Sequence, residues 1–182
     1  DFYYFRPENT YKQYDIGEML RDRFIYENNK VYYVDHSGKI LKNRFFERNG
    51  TGTWYYFTKD GTAATGEVEI NGQKLYFDNP WGFQTKGRVA QNGKFYDKDS
   101  GALVTKTFKE LLTYIGRDDI NGQNIYTTDW YYLDADGRPL KGPQNLGGTN
   151  MYFFPNGAQV KGRFAPDRHY YDKDSGALVT NS

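Results

Sequence analysis

The nine residues Asp97-Lys98-Asp99-Ser100-Gly101-Ala102-Leu103-Val104-Thr105 return unchanged as Asp172 to Thr180. Each copy follows an aromatic pair, Phe95-Tyr96 in one case and Tyr170-Tyr171 in the other. Each also lies downstream of a Trp-Tyr-Tyr run, which begins at Trp54 or at Trp130. The chain therefore reuses a unit of 75 to 76 residues (172 minus 97; 130 minus 54). Short aromatic repeats have no core of their own and bury their apolar faces by stacking on neighbours, so the expectation is a solenoid or array that binds, not a catalytic globule.

Seven blocks inside this period share one plan: an aromatic-rich strand, a tight turn ending in Gly, and a second short strand. They run from Tyr32-Tyr33 to Gly38, Tyr55-Tyr56 to Gly61, Tyr76-Phe77 to Gly82, Phe95-Tyr96 to Gly101, Tyr131-Tyr132 to Gly137, Tyr152-Phe153 to Gly157 and Tyr170-Tyr171 to Gly176. Aromatic and β-branched residues favour strands, and Gly accepts the positive φ of hairpin turns. Further turns fall at Asn49-Gly50, Asn71-Gly72, Asn92-Gly93, Asn121-Gly122 and Gly147-Gly148. The fold class expected is all-β, a β-solenoid of stacked short hairpin repeats. Two stretches depart from the plan. Phe108, Leu111, Leu112 and Ile115 have helical spacing, which predicts a short helix near 107–115. Residues 1–30 keep Phe2-Tyr3-Tyr4-Phe5 without a Gly-terminated turn and read as an irregular or degenerate first repeat, with residues 31–182 as one repeat domain. The first residues read as mid-repeat, so the chain is expected to be a fragment of a longer one.

Composition narrows the function classes. Tyr (18), Phe (13) and Trp (3) make up 19% of the chain; Tyr combines a large ring with a polar tip and suits thin, surface-rich architectures. The 24 basic and 23 acidic side chains leave a net charge of +1, which favours neither nucleic acid nor an anionic membrane as partner. Without cysteine there is no disulfide framework and no Cys-based zinc site. No apolar run reaches the length of a membrane span.

Residues i and i+2 of a strand share a face. Two blocks carry a polar pair at that spacing just after the turn Gly, Gln84 with Lys86 and Gln159 with Lys161. The equivalent places elsewhere hold Ile40 and Lys42, Ala63 and Thr65, Leu103 and Thr105, Pro139 and Lys141, and Leu178 and Thr180. An amide that donates and accepts, beside an ammonium with three donors, suits the hydroxyl rim of a pyranose whose C–H face lies on an aromatic ring. The competing reading is a solvated strand face carrying ordinary surface residues; recurrence of the pair in register favours the sugar pocket. The acidic turns Asp97-Lys98-Asp99, Asp134-Ala135-Asp136 and Asp172-Lys173-Asp174 resemble the start of a calcium loop but lack its further ligands and distal Glu. Asp capping its own turn explains them without metal. His36 and His169 sit in no catalytic order and read as surface residues. A carboxylate pair for glycoside hydrolysis would lie mostly in turns, with no deep cleft to raise a pKa. Catalysis is not expected, and no cofactor is implied.

Asn71-Gly72-Gln73-Lys74-Leu75-Tyr76-Phe77-Asp78, followed by Gln84-Thr85-Lys86-Gly87, resembles the cell-wall-binding or glucan-binding repeat. Trp130-Tyr131-Tyr132-Leu133-Asp134-Ala135-Asp136-Gly137 and Gly157-Ala158-Gln159-Val160-Lys161-Gly162 do so as well. The resemblance, which covers residues 31 to 182, is to the glucan-binding domain (domain V) of glucansucrases. It implies a β-solenoid that binds α-glucans such as dextran, or isomalto-oligosaccharides, and tethers them to a glucansucrase catalytic domain. It also implies a secreted or cell-surface protein of a Gram-positive bacterium, acting as a monomer. Sugar pockets in that family resemble a stacking Tyr followed by a Gln-x-Lys pair. Carried over, this marks Tyr76, Gln84 and Lys86 as one pocket and Tyr152, Gln159 and Lys161 as another, with Tyr55 and Tyr131 as pocket walls or as stacking rings between blocks. A choline-binding or wall-anchoring module of the same repeat superfamily, which needs an aromatic cage, and a purely structural adhesion solenoid remain as alternatives.

Overall fold

The computed structural model describes residues 4, 19–117 and 122–180 of the chain. They fall into two compact units, Asp1–Asn92 with Lys98–Ala102 and Gly93–Asp97 with Leu103–Ser182. The described residues form strands and turns and no helix.

In the first unit β1 (Arg23–Glu27) pairs antiparallel with β2 (Lys30–Val34), and β3 (Arg44–Glu47) with β4 (Trp54–Phe57). A three-stranded sheet follows, built from β5 (Gly66–Ile70), β6 (Gln73–Asp78) and β7 (Phe83–Gln84), and then the short β8 (Arg88–Val89). The second unit begins with β9 (Phe95–Tyr96) and contains three antiparallel pairs. These are β10 (Thr107–Arg117) with β11 (Asn124–Leu133), β12 (Gly142–Leu146) with β13 (Thr149–Phe153), and β14 (Arg163–Phe164) with β15 (Tyr170–Tyr171).

Within each unit the hairpins are stitched together by the short return strand that follows each turn. Ala63 N–H donates to Val31 O at 2.7 Å, Gln159 N–H to Trp130 O at 2.7 Å and Leu178 N–H to Asn150 O at 2.8 Å. A hairpin thereby borrows main-chain partners from the hairpin before it, and the side chains follow. Along β4 the exposure alternates: Tyr55 and Phe57 are fully buried and stack at 6.1 Å, while Trp54 and Tyr56 are half-buried. Val31, Tyr33 and Leu41 of the neighbouring hairpin complete that core. The turn glycines answer two demands at once. At Gly61 φ is +89°, and a Cβ there would lie 2.6 Å from Ile40 Cγ2 of the preceding hairpin. Gly137, at φ +80°, meets the same obstacle in Leu103 Cδ1 at 2.6 Å. A side chain at either position would strain the backbone and wedge the stack apart.

The helix expected near 107–115 is replaced by β10. Its residues pair with β11 along its length, with a register shift between Tyr114 and Gly116, and Phe108 meets Tyr132 with ring centroids 4.9 Å apart. The helical spacing does not mark a single buried stripe, for Leu112 is 74% exposed while Phe108 packs on Tyr132. A β-branched and aromatic segment with a long antiparallel partner gains more from the ladder than from a lone helix. At the amino-terminal end, β1 is an ordinary strand, so the first hairpin lies astride the boundary expected at residue 30. Most of the preceding segment (residues 1–3 and 5–18) lies outside the described residues.

Candidate functional site

Cross-strand register decides which side chains meet around the two Gln-x-Lys pairs. Gln84 stands opposite Phe77, and Thr85 N–H donates to Tyr76 O at 2.8 Å. Directly opposed residues point to the same side of a sheet, so Tyr76 shares the side of Thr85, and Gln84 and Lys86 occupy the other. The Thr85 side is closed. Thr85 is fully buried and its hydroxyl donates to Asp78 Oδ1 at 2.9 Å, while Asp78 pairs with Arg88. Tyr76 is buried there too, its hydroxyl 3.4 Å from Gln91 Oε1.

The Gln84 side is open. The Lys86 ammonium donates to Asp99 O at 3.0 Å and lies 5.5 Å from the centre of the Trp54 ring. Gln84 lays its amide against Gly101, where φ is +71° and any Cβ would overlap the amide nitrogen. Gln84, Lys86, Trp54, Phe45, Leu75 and Ser100 line most of a cavity of about 300 Å³. Its walls are aromatic and aliphatic, with amide and ammonium donors at the rim.

The second unit repeats these contacts. The Phe153–Gln159 bridge and the Val160 N–H to Tyr152 O bond (2.8 Å) again put Gln and Tyr on opposite sides. Gln159 donates to Ser175 O at 3.2 Å and touches Met151 Sδ at 3.3 Å. The Lys161 ammonium donates to Asp174 O at 2.8 Å and stands 5.3 Å from the centre of the Trp130 ring. Gly176, at φ +71°, leaves room for Gln159 as Gly101 does for Gln84. Tyr152 instead packs on the core of Val160, Ala165 and Tyr171.

The structure thus brings together each Gln-x-Lys pair with a tryptophan, and sets Tyr76 and Tyr152 on the far side of the strand. Tyr55 and Tyr131 are buried core rings and not walls of the open side. Burial raises the Tyr55 phenol above its ordinary pKa. Sequence reasoning missed Trp54 and Trp130 as the rings beside the lysines, and it missed the role of the nonapeptide echo. In each copy that echo supplies the carbonyl that anchors the Lys (Asp99, Asp174) and the Gly that accommodates the Gln. The 75- to 76-residue offset was the available signal, because Trp54/Trp130, Gln84/Gln159, Lys86/Lys161 and Gly101/Gly176 all obey it.

The acidic turns cap themselves. Asp134 Oδ1 accepts from the N–H groups of Asp136 and Arg138, both at 2.8 Å, and Asp172 Oδ1 accepts from Asp174 and Ser175 N–H and from the Ser175 hydroxyl. Among the described residues no group of three or more acidic, His or Cys side chains is placed to hold a metal ion. His36 is exposed and contacts Asp22 at 2.8 Å.

The choline-binding repeat family matches residues 64–108 and 140–182, and each match encloses one Gln-x-Lys pair with its nonapeptide. The chain is 38% identical over 180 residues to Glucosyltransferase-S of Streptococcus mutans, an alignment covering 94% of this chain and 11% of that protein. It is 40% identical over 154 residues to Glucosyltransferase-I of Streptococcus downei, covering 80% of this chain and 9% of that protein. It therefore spans about a tenth of the length of these curated relatives. Among solved structures it superposes on choline binding protein F of Streptococcus pneumoniae, determined in the presence of a peptidoglycan analogue. The TM-score is 0.65 at 26% identity, covering 98% of this chain and 54% of that one. CbpJ of Streptococcus pneumoniae gives a TM-score of 0.64 at 25% identity, covering 97% and 55%.

Proposed function

We propose that this chain, which matches the choline-binding repeat family over residues 64–108 and 140–182 and aligns over most of its length with streptococcal glucosyltransferases, is a non-catalytic module binding α-glucan of the dextran type. One observation carries the proposal. A tryptophan ring, a lysine ammonium and a glutamine amide converge twice, once in each unit; in the first they line an open cavity, and in the second the Gln159 amide is buried against Ser175 and Met151 beside Lys161 and Trp130. An indole supports the apolar face of a pyranose, and the amide and ammonium address hydroxyls at its edge. The module acts outside the cell, secreted or at the surface, as a monomer that holds polymer near the catalytic domain of its parent chain.

The same geometry argues against choline at these two places. A quaternary ammonium binds over the face of an aromatic ring, and here Lys86 and Lys161 already present a cation to Trp54 and Trp130. A second cation at either ring would meet like charge.

Affinity electrophoresis through gels with and without dextran tests the reading, run beside the Gln84→Ala/Gln159→Ala double variant. Retardation of the wild-type chain that is strongly reduced in the double variant is the expected result. Retardation undiminished in the double variant would keep the function and remove these sites, and no retardation of the wild-type chain would overturn the glucan reading itself.

A further inference from the structure

The repeat accounts for two of the three tryptophans, Trp54 and Trp130; the third, Trp81, stands in a turn with no counterpart elsewhere. The turns that correspond to it hold Asp35-His36-Ser37, Asp134-Ala135-Asp136 or Pro155-Asn156, all without an aromatic ring. Trp81 is 52% exposed and so is not there to fill a core. Its turn is nonetheless held firmly on both sides. The Gln91 side chain clamps the main chain of Asn79, accepting from its N–H at 3.0 Å and donating to its carbonyl at 3.1 Å. On the other side Gly82, at φ +76°, is pressed so closely on the hairpin below that a Cβ would lie 2.9 Å from Ala63 Cβ.

A second exposed ring meets it. Tyr26, near the end of β1, is 57% exposed, and its ring centre lies 6.0 Å from that of Trp81 at an interplanar angle of 75°. Tyr26 is braced from behind by Phe24, 6.3 Å away and nearly parallel, and Phe24 is itself packed on Tyr33, Phe46 and Tyr55. The two rings form a corner over a cavity of about 290 Å³, whose remaining walls include the side chains of the β1–β2 turn: Glu27, Asn28, Asn29 and Lys30. Two large rings are kept in water by a rigid framework, with amide, carboxylate and ammonium groups at their edge. That combination is a cost to the isolated protein unless a ligand covers it.

We propose that the Tyr26–Trp81 corner is an additional glycan-binding site, separate from the two Gln-x-Lys sites and of different composition, which takes one pyranose ring of the same α-glucan. The sugar's apolar face covers an aromatic ring, and the Asn28 and Asn29 amides, with Glu27 and Lys30, reach its hydroxyls. The neutral, polyhydroxylated ligand is favoured because the turn offers both donors and acceptors, and Glu27 and Lys30 together give the cavity no net charge to draw an ion. The choice of α-glucan as ligand rests on the function proposed above.

The three tryptophans report the three sites separately. With fluorotryptophan incorporated, fluorine NMR gives one resonance each for Trp54, Trp81 and Trp130, assigned through single Trp→Phe variants. Titration with an isomalto-oligosaccharide is expected to shift all three saturably. Tyr26→Ala should weaken the Trp81 response about tenfold while leaving the other two in place. Shifts of Trp54 and Trp130 with Trp81 unmoved would overturn this site and leave the glucan function standing; no shift at any of the three would overturn both. A Trp81 resonance that moves with choline and not with sugar would make the corner a cation cage and overturn the glycan assignment.

Discussion

Lys86 and Lys161 each stand between a main-chain carbonyl and an indole, so the tryptophan both orients the ammonium and offers a surface to the ligand. Replacing Trp54 or Trp130 by Ala is expected to weaken oligosaccharide binding at its own site about tenfold or more, since stacking and lysine placement are lost together. Tyr76→Phe and Tyr152→Phe should leave binding unchanged in calorimetric titration. Their rings lie on the opposite side of the strand, and only a hydroxyl is removed. Weaker binding in the Phe variants with Trp54→Ala unaffected would place the tyrosine hydroxyls in the site and overturn the assignment of the tryptophans. Gly101 and Gly176 give a sharper case. Ala at either position forces a β-carbon into the Gln84 or Gln159 amide at a backbone φ of +71°, so binding at that site should disappear at a stability cost of about 1 kcal/mol or somewhat more. The distinction between Trp and Tyr was not legible in the sequence. Both rings precede the Gln-x-Lys pair, and only the register that sets Tyr76 beside Thr85 and Tyr152 beside Val160 separates them.

The last hairpin carries a pH signature that follows from one hydrogen bond. Burial first, and then the hydrogen bond and charge of Asp167, push the Tyr171 phenol up from 10.0 to about 12. The hydroxyl donates to Asp167 Oδ2 at 2.7 Å. The folded hairpin therefore holds the neutral phenol more tightly than the unfolded chain does. Its contribution is complete below pH 10, is eroded as the unfolded phenol ionises, and is gone once pH passes about 12. Over that window the wild-type protein should lose about 2 kcal/mol more stability than Tyr171→Phe, by urea denaturation at successive pH values. Parallel curves for the two proteins would show that the bond carries no such linkage. Asp167 moves the other way: burial works to raise it, but the His169 N–H and the Tyr171 hydroxyl together hold it below 3.8. Its contribution is present above that value and is lost as pH falls through the folded pKa. The hairpins themselves were legible because aromatic pair, turn and Gly lie within a few residues of one another. Segment 107–115 was not, because its structure is decided by β11, whose partner residues lie well along the chain and beyond the reach of local periodicity.

Each unit contains one Trp–Lys–Gln cluster, so the glucan-binding module proposed above would be at least bivalent for a repeating polymer. A shallow site closed on one side only should bind a short oligosaccharide weakly, with Kd about 1 mM. A polymer that reaches both sites makes the second contact intramolecularly, which raises apparent affinity by roughly two to four orders of magnitude when the spacing permits. The two ligands therefore separate site from assembly. Gln84→Ala or Gln159→Ala alone should remove about half of the oligosaccharide response of the Gln-x-Lys sites without changing the affinity of the site that remains. The same single change should cost more for dextran than for the oligosaccharide, because one of the tethered contacts is lost. Surface plasmon resonance on immobilised dextran, with free isomalto-oligosaccharide as competitor, measures both quantities on one protein. Equal affinity for oligosaccharide and polymer would show that the sites act one at a time. The exact nonapeptide echo would then preserve two independent pockets and not a device for gripping a chain of sugars.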